Sequence, residues 1–211
     1  GKQQPQQEVI DFPTTSEAPE WAKNATIYEV NLRQHTPEGT IRAFMAHLPQ
    51  LKAMGVDILW LMPIYPISEK FRKADQKTLI EEVDPAERDK YMGSYYDIQD
   101  YKAVNPELGT AEDFGNLVQK AHAMGMRVIL DIAANHTGWD HAWVTSNSEY
   151  YTKVPEGETP WNPDWMAAHP EFYDFLMKTR MTYPIDQGET DWWDTADLNY
   201  DNDELRDEMR S

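Results

Sequence analysis

From Thr26 to Leu32 the chain alternates and is rich in strand-forming residues, which predicts a first strand. Beyond Gly39-Thr40 the apolar residues Ile41, Phe44, Leu48 and Leu51 fall on one face of a helix. Pro49 interrupts that pattern, so the reading is a kinked helix or two short ones, with Gly55 capping the end. Val56 to Met62 is a near-continuous apolar run, which suits a strand buried on both faces of a parallel sheet. Residues 68–91 are highly charged with mixed sign and read as an exposed helical excursion without chemistry. Thr110 and Asp113 form a capping-box-like helix start, and Phe114, Leu117, Val118 and Ala121 mark the buried face of that helix. Gly125 ends it, and Arg127 to Ile132 reads as a third strand.

Strands alternating with helices mean βα units and a parallel sheet. After His136 this regularity stops. Residues 138–197 show neither helical nor alternating periodicity, hold six of the eight Trp and several Pro, and read as an irregular inserted subdomain. Asn202 to Arg210 then begins another helix. Residues 1–20, rich in Gln, Pro and Glu, read as a flexible leader. The expected organisation is therefore a leader over 1–20, three strands with their helices over 21–137, an irregular subdomain over 138–199 and a helix start over 200–211.

Composition narrows the function. A chain of 211 residues with 12% aromatic residues has material for one ordered domain with an insertion. The formal net charge of −18 argues against nucleic acid or an anionic membrane as partner, since both want basic patches. Residues 186–211 hold ten Asp/Glu against two Lys/Arg, which suits either a solvated face or a cation site. The absence of Cys excludes disulfides, zinc–thiolate sites and thiol catalysis. No stretch approaches the ~20 apolar residues of a membrane helix. The polar start after Gly1 reads like a chain whose leader has been removed, so an extracytoplasmic location is expected.

Three segments carry the most specific signal. They are Gly55-Val-Asp-Ile-Leu-Trp-Leu-Met-Pro-Ile-Tyr-Pro66, Gly93-Ser-Tyr-Tyr-Asp-Ile-Gln-Asp-Tyr101 with Asn105 to Thr110, and Gly125-Met-Arg-Val-Ile-Leu-Asp-Ile-Ala-Ala-Asn-His136. In order and spacing they resemble the alpha-amylase family, glycoside hydrolase family 13, and Ala196-Asp197-Leu198-Asn199 resembles a fourth family motif. The resemblance implies the N-terminal portion of a TIM (β/α)8 barrel with an irregular domain B inserted after strand three. It also implies a site at the C-terminal ends of the strands, where barrel enzymes place their chemistry.

On that resemblance, Tyr96 is the aromatic platform that stacks on the sugar being cleaved, and His136 donates a hydrogen bond to a sugar hydroxyl. Tyr95 stands where the family commonly has a small residue. Trp139 and Trp143 follow His136 closely, and Trp139 is a further candidate for the cleft. Most of the other Trp residues are expected to be core. Asn135 and Asp197 match positions that hold a structural calcium in many members, an ion that wants hard oxygen ligands. Asp131 supports the site by pairing with an Arg of strand four, and would lack that partner here.

Retaining glycosidases use two carboxylates, a nucleophile and an acid/base, roughly 5–5.5 Å apart. In this family the nucleophile lies in a Gly-Phe-Arg-x-Asp motif, and no Gly-Phe-Arg occurs in the sequence. The expectation is a fragment of a retaining hydrolase of α-glucosidic bonds in starch-like glucans or maltooligosaccharides, itself inactive. The rival readings are an α-1,6 or α-1,1 glucosidase, a transglycosylase, or a non-catalytic glucan-binding relative.

Overall fold

The computed structural model describes residues 18–184 and 192–211. The expected leader therefore lies, up to residue 17, outside the described residues, as do residues 185–191 of the acidic segment. The first part runs β1 (Ile27–Val30), α1 (Leu32–His35), α2 (Ile41–Met45), α3 (Leu48–Ala53), β2 (Ile58–Leu61), α4 (Ala111–Ala123) and β3 (Arg127–Leu130). The second part adds β4 (His136–Gly138), α5 (Trp143–Ser146), α6 (Pro163–Ala168), α7 (Pro170–Thr179), β5 (Thr195–Asp197) and α8 (Asp203–Glu208).

The three expected strands form one parallel sheet in the order β1-β2-β3, with Ile27 opposite Ile58 and Ile58 opposite Arg127. Pro49 does divide the first helical stretch: α3 begins next to it, where a missing N–H costs nothing. Thr110 and Asp113 close the reciprocal capping box of α4, and Gly125, at φ +73°, follows its end. Helices cover one face of the sheet. Val30, Leu59 and Leu61 are fully buried there with Ile41, Phe44, Leu48 and Leu117. The opposite face is open, with Ile27 56% and Ile129 42% exposed, and Ile132 just past β3 is exposed as well. Strand β3 is thus only half buried, unlike the fully apolar reading of its neighbour β2.

The charged stretch after β2 corrects the sequence reading. It is two short 3-10 turns, Ile80–Glu82 and Pro85–Lys90, and its apolar residues go inward. Phe71 and Leu79 join a second hydrophobic core built around Trp139, Tyr151, Trp161, Phe172, Leu176 and Trp193. Phe71 meets Phe172 edge-on at 4.8 Å, and Glu82 accepts a 2.6 Å hydrogen bond from His169 Nδ1. Surface charge disguises an anchoring strap.

Residues 138–197 also contain more helix than their pattern announced. Asn162 caps α6 through its side chain, accepting from Asp164 and Trp165, and α7 follows with Phe172 and Leu176 buried four residues apart. The antiparallel pair β4-β5 sets His136 opposite Asp197. Gly138 closes this pair against the preceding loop: a Cβ there would lie 2.2 Å from Ser68 Cβ and 2.7 Å from Asp97 Oδ1. Among the described residues no helix is long and apolar enough to cross a membrane.

Candidate functional site

The C-terminal ends of the three parallel strands lead into Asn31, Met62 and Asp131. The turn carrying Tyr95 and Tyr96 spans two of these ends. The Tyr95 hydroxyl donates to Asn31 Oδ1 at 2.8 Å, and the Tyr96 hydroxyl donates to Asp131 Oδ2 at 2.9 Å. Arg33 lies over the Tyr95 ring at 4.4 Å, fixing it further. Asp131 therefore has a partner in this chain, contrary to the expectation that it stands alone. Burial, then the hydrogen bond to Asp131, pushes the Tyr96 phenol up to about 12, so it stays a neutral donor.

His136 is buried beside this pair. Its Nε2 lies 2.7 Å from the Tyr96 carbonyl, which fixes the proton on Nε2 and leaves Nδ1 enclosed with no partner among the described residues. Burial lowers its pKa, so the ring is neutral. The N–H expected to meet a sugar hydroxyl is thus spent on the backbone of Tyr96.

Two tyrosines that the sequence reading did not assign hold the segment that carries His136. The Tyr101 hydroxyl lies 2.6 Å from the Ala133 carbonyl and 2.7 Å from that of His136, and the Tyr200 hydroxyl donates to the Ala134 carbonyl. The Asn135 carbonyl accepts from Leu198 N–H at 3.0 Å. Four successive carbonyls are held from outside the segment. The only sequence signal for Tyr101 was its place at the end of the Gly93–Tyr101 segment.

Trp139 is a correction. It is 1% exposed, packs on Phe172 and Phe175, and donates its indole N–H to the Trp193 carbonyl at 2.9 Å. A ring so enclosed presents no face to a ligand. The reason is that the chain turns into the aromatic core just past β4, whose three residues are all buried, and Trp139 goes with it. Most Trp residues there are core, as expected: Trp161 and Trp193 are buried and Trp165 packs on Trp193, while Trp192 is exposed. Trp143 is half-buried and lines a separate cavity.

Asn135 is exposed next to half-buried Asp197, because His136 pairs with Asp197 across β4-β5. Burial raises the pKa of Asp197, with Thr152 and His136 opposing. Among the described residues no three or more His, Cys, Asp or Glu side chains converge as a metal site.

Residues 14–211 match the family model for the alpha amylase catalytic domain. The chain belongs to the alpha-amylase family. Alpha-amylase 3 of Dictyoglomus thermophilum is 29% identical over 195 residues, 90% of this chain and 33% of that protein. Trehalose-6-phosphate hydrolase of Escherichia coli is 29% identical over 205 residues, 91% of this chain and 32% of that protein. The crystal structure of an alpha-amylase from Lactobacillus plantarum superposes with a TM-score of 0.65 at 32% identity, covering 88% of this chain and 34% of that one. The chain spans about a third of the length of these alpha-amylase relatives. Its three-stranded sheet is accordingly a fragment of the family's TIM barrel, and the family's enzymes act on α-glucosidic bonds.

Proposed function

We propose that this chain supplies part of the sugar-binding cleft of a retaining α-glucosidase or α-amylase that acts on starch-like glucans or maltooligosaccharides. The observation that carries this reading is the Tyr96–Asp131–His136 group at the C-terminal end of the sheet. There Tyr96 is half-buried and its hydroxyl is locked, and in this reading its exposed part stacks on the apolar face of a pyranose. Asp131 orients Tyr96 through its hydroxyl, and His136 orients it through the backbone. In this reading His136 positions the platform and does not itself donate to the sugar.

The sequence holds no Gly-Phe-Arg-x-Asp motif, so the reaction's nucleophile and acid/base lie outside these residues and the chain by itself hydrolyses nothing. Residues 138–199 correspond to the family's domain B. Asn135 and Asp197 would hold the structural calcium. A carboxyl raised by burial gains from a cation beside it, and an amide oxygen and a carboxylate are the donors calcium takes. The ion would tie β4-β5 to the end of the sheet.

Titration of the 211-residue chain with maltotriose, followed by amide NMR, tests the reading. Tyr96 and His136 signals should shift, and Tyr96→Ala should weaken binding about tenfold, the loss of one stacked ring. A Tyr96→Ala variant that binds as well as the wild type would remove Tyr96 as the platform.

A further inference from the structure

Trp143 stands outside the Tyr96 group yet is not core in the manner of Trp139. It lines a cavity of about 370 Å³ together with Tyr101, His141, Asp140, Asp100 and Gln99. That volume lies at the small end of the range for ligand pockets, roughly 300–1,000 Å³. The cavity lies behind the His136 segment, since the Tyr101 ring forms one wall while its hydroxyl grips the carbonyls of Ala133 and His136.

The walls are fixed before any ligand arrives. His141 packs on Trp143 at 4.4 Å, Tyr101 on Trp143 at 5.9 Å, and Tyr150 meets its edge at 5.4 Å. His141 is 6% exposed, and its Nδ1 accepts the backbone N–H of Trp143 at 3.2 Å. That bond places the ring proton on Nε2. Burial holds the ring neutral by lowering its pKa to about 4, against the pull of Asp100 and Asp140. Asp140 contributes the opposite polarity. Its Oδ2 accepts from Glu69 N–H and Gln99 Nε2, while its Oδ1 is enclosed with no donor among the described residues.

The cavity therefore offers an indole wall, a neutral N–H donor and the exposed carboxylate of Asp100. We infer that it is a second carbohydrate site, which takes one glucosyl unit of an α-glucan stacked on Trp143. A pyranose has an apolar C–H face for the indole, a ring of hydroxyls to donate to the Asp100 carboxylate, and oxygens to accept from His141 Nε2. An anion is excluded by Asp100, Asp140 and Glu208 against Lys102 alone. A metal ion would answer the carboxylates but would face the N–H of His141 and gain nothing from the indole. The inference rests on the proposed glucan substrate, and it concerns a different surface from the Tyr96 platform.

The test is a maltotriose titration of the 211-residue chain with the Trp143 indole N–H and His141 ring signals observed by NMR. Both should shift, and Trp143→Ala should weaken this binding about tenfold, while Tyr96→Ala leaves it unchanged. Asp100→Asn, which keeps the shape and one acceptor oxygen but removes the charge, should weaken it less than Trp143→Ala does. Shifts confined to Tyr96 and His136, with Trp143→Ala silent, would overturn the second site and leave the cleft reading standing. Shifts at Trp143 with calcium and none with maltotriose would also overturn it, in favour of a cation site.

Discussion

The two hydrophobic cores of this molecule are built on different principles. The buried members of the core under the sheet are non-aromatic apart from Phe44, with Tyr28 and Phe114 packed at its edge, and they recur at helical or strand spacing within each element. The second core is crowded with rings, Phe71, Trp139, Tyr150, Tyr151, Trp161, Phe172, Tyr183 and Trp193, gathered from loops and short helices as distant as Phe71 and Trp193. Aliphatic side chains need only volume and a face. Buried tryptophan and tyrosine also need a partner for an N–H or O–H, as Trp139 finds in the Trp193 carbonyl and Thr137 and Tyr151 find in each other at 2.8 Å. The sheet core therefore follows from periodicity, whereas the aromatic core depends on which distant backbone atom comes within reach.

The sharpest way to break this comparison is to remove one member from each core. Trp139→Ala should cost about 3–5 kcal/mol and Leu59→Ala about 2–5 kcal/mol in denaturant unfolding. The contrast lies in what is lost. Trp139→Ala should erase near-UV circular dichroism while far-UV signal from the sheet region persists at intermediate denaturant. A single coincident transition for both variants would show that the cores unfold as one.

A second difference is the response to pH. His141, beside the aromatic core, has a folded pKa lowered by burial to about 4 from 6.5. Between those values the unfolded chain binds the proton first, so stability is complete above about pH 6.5 and falls as pH drops. The shift corresponds to about 3 kcal/mol, an order-of-magnitude figure. His141→Gln should flatten that limb of the stability curve.

Asp97 runs the other way. It is fully buried, neither carboxylate oxygen has a donor among the described residues, and Asp194 and Asp140 add to the burial that raises its pKa, outweighing Arg72 and Lys73. The folded state then holds the proton longer than the unfolded chain, and stability falls as pH rises from the ordinary Asp range through the raised value. Asp97→Asn should be more stable at neutral pH by about 1–3 kcal/mol, the usual cost of an unsatisfied buried group. The gain should vanish near pH 4, and a variant less stable than wild type at pH 7 would refute the account.

The smallest expected effect lies wholly within the sheet region. Thr110→Ala removes one half of the α4 capping box and should cost about 1 kcal/mol without altering near-UV signal.

Much of the molecule was legible before any coordinates. The three strands, their parallel order, the break at Pro49, the cap at Thr110 and the helix after Asn202 all follow from local spacing and from residues whose backbone preferences are strong. The motifs also brought Tyr96, Asp131 and His136 forward as one group. Tertiary structure decided the rest. It turned the charged stretch after β2 inward at Phe71, because a few apolar residues among many charges suffice to anchor a strap once an aromatic core lies beneath it. It gave Asp131 the Tyr96 hydroxyl as partner and spent the His136 N–H on a carbonyl, which are matters of distance that no spacing encodes. It also separated Trp139 from Trp143, four residues apart and alike in sequence context. Burying a ring stabilises the fold wherever the core has room, and only the packed chain shows which ring the core takes and which is left at a cavity wall.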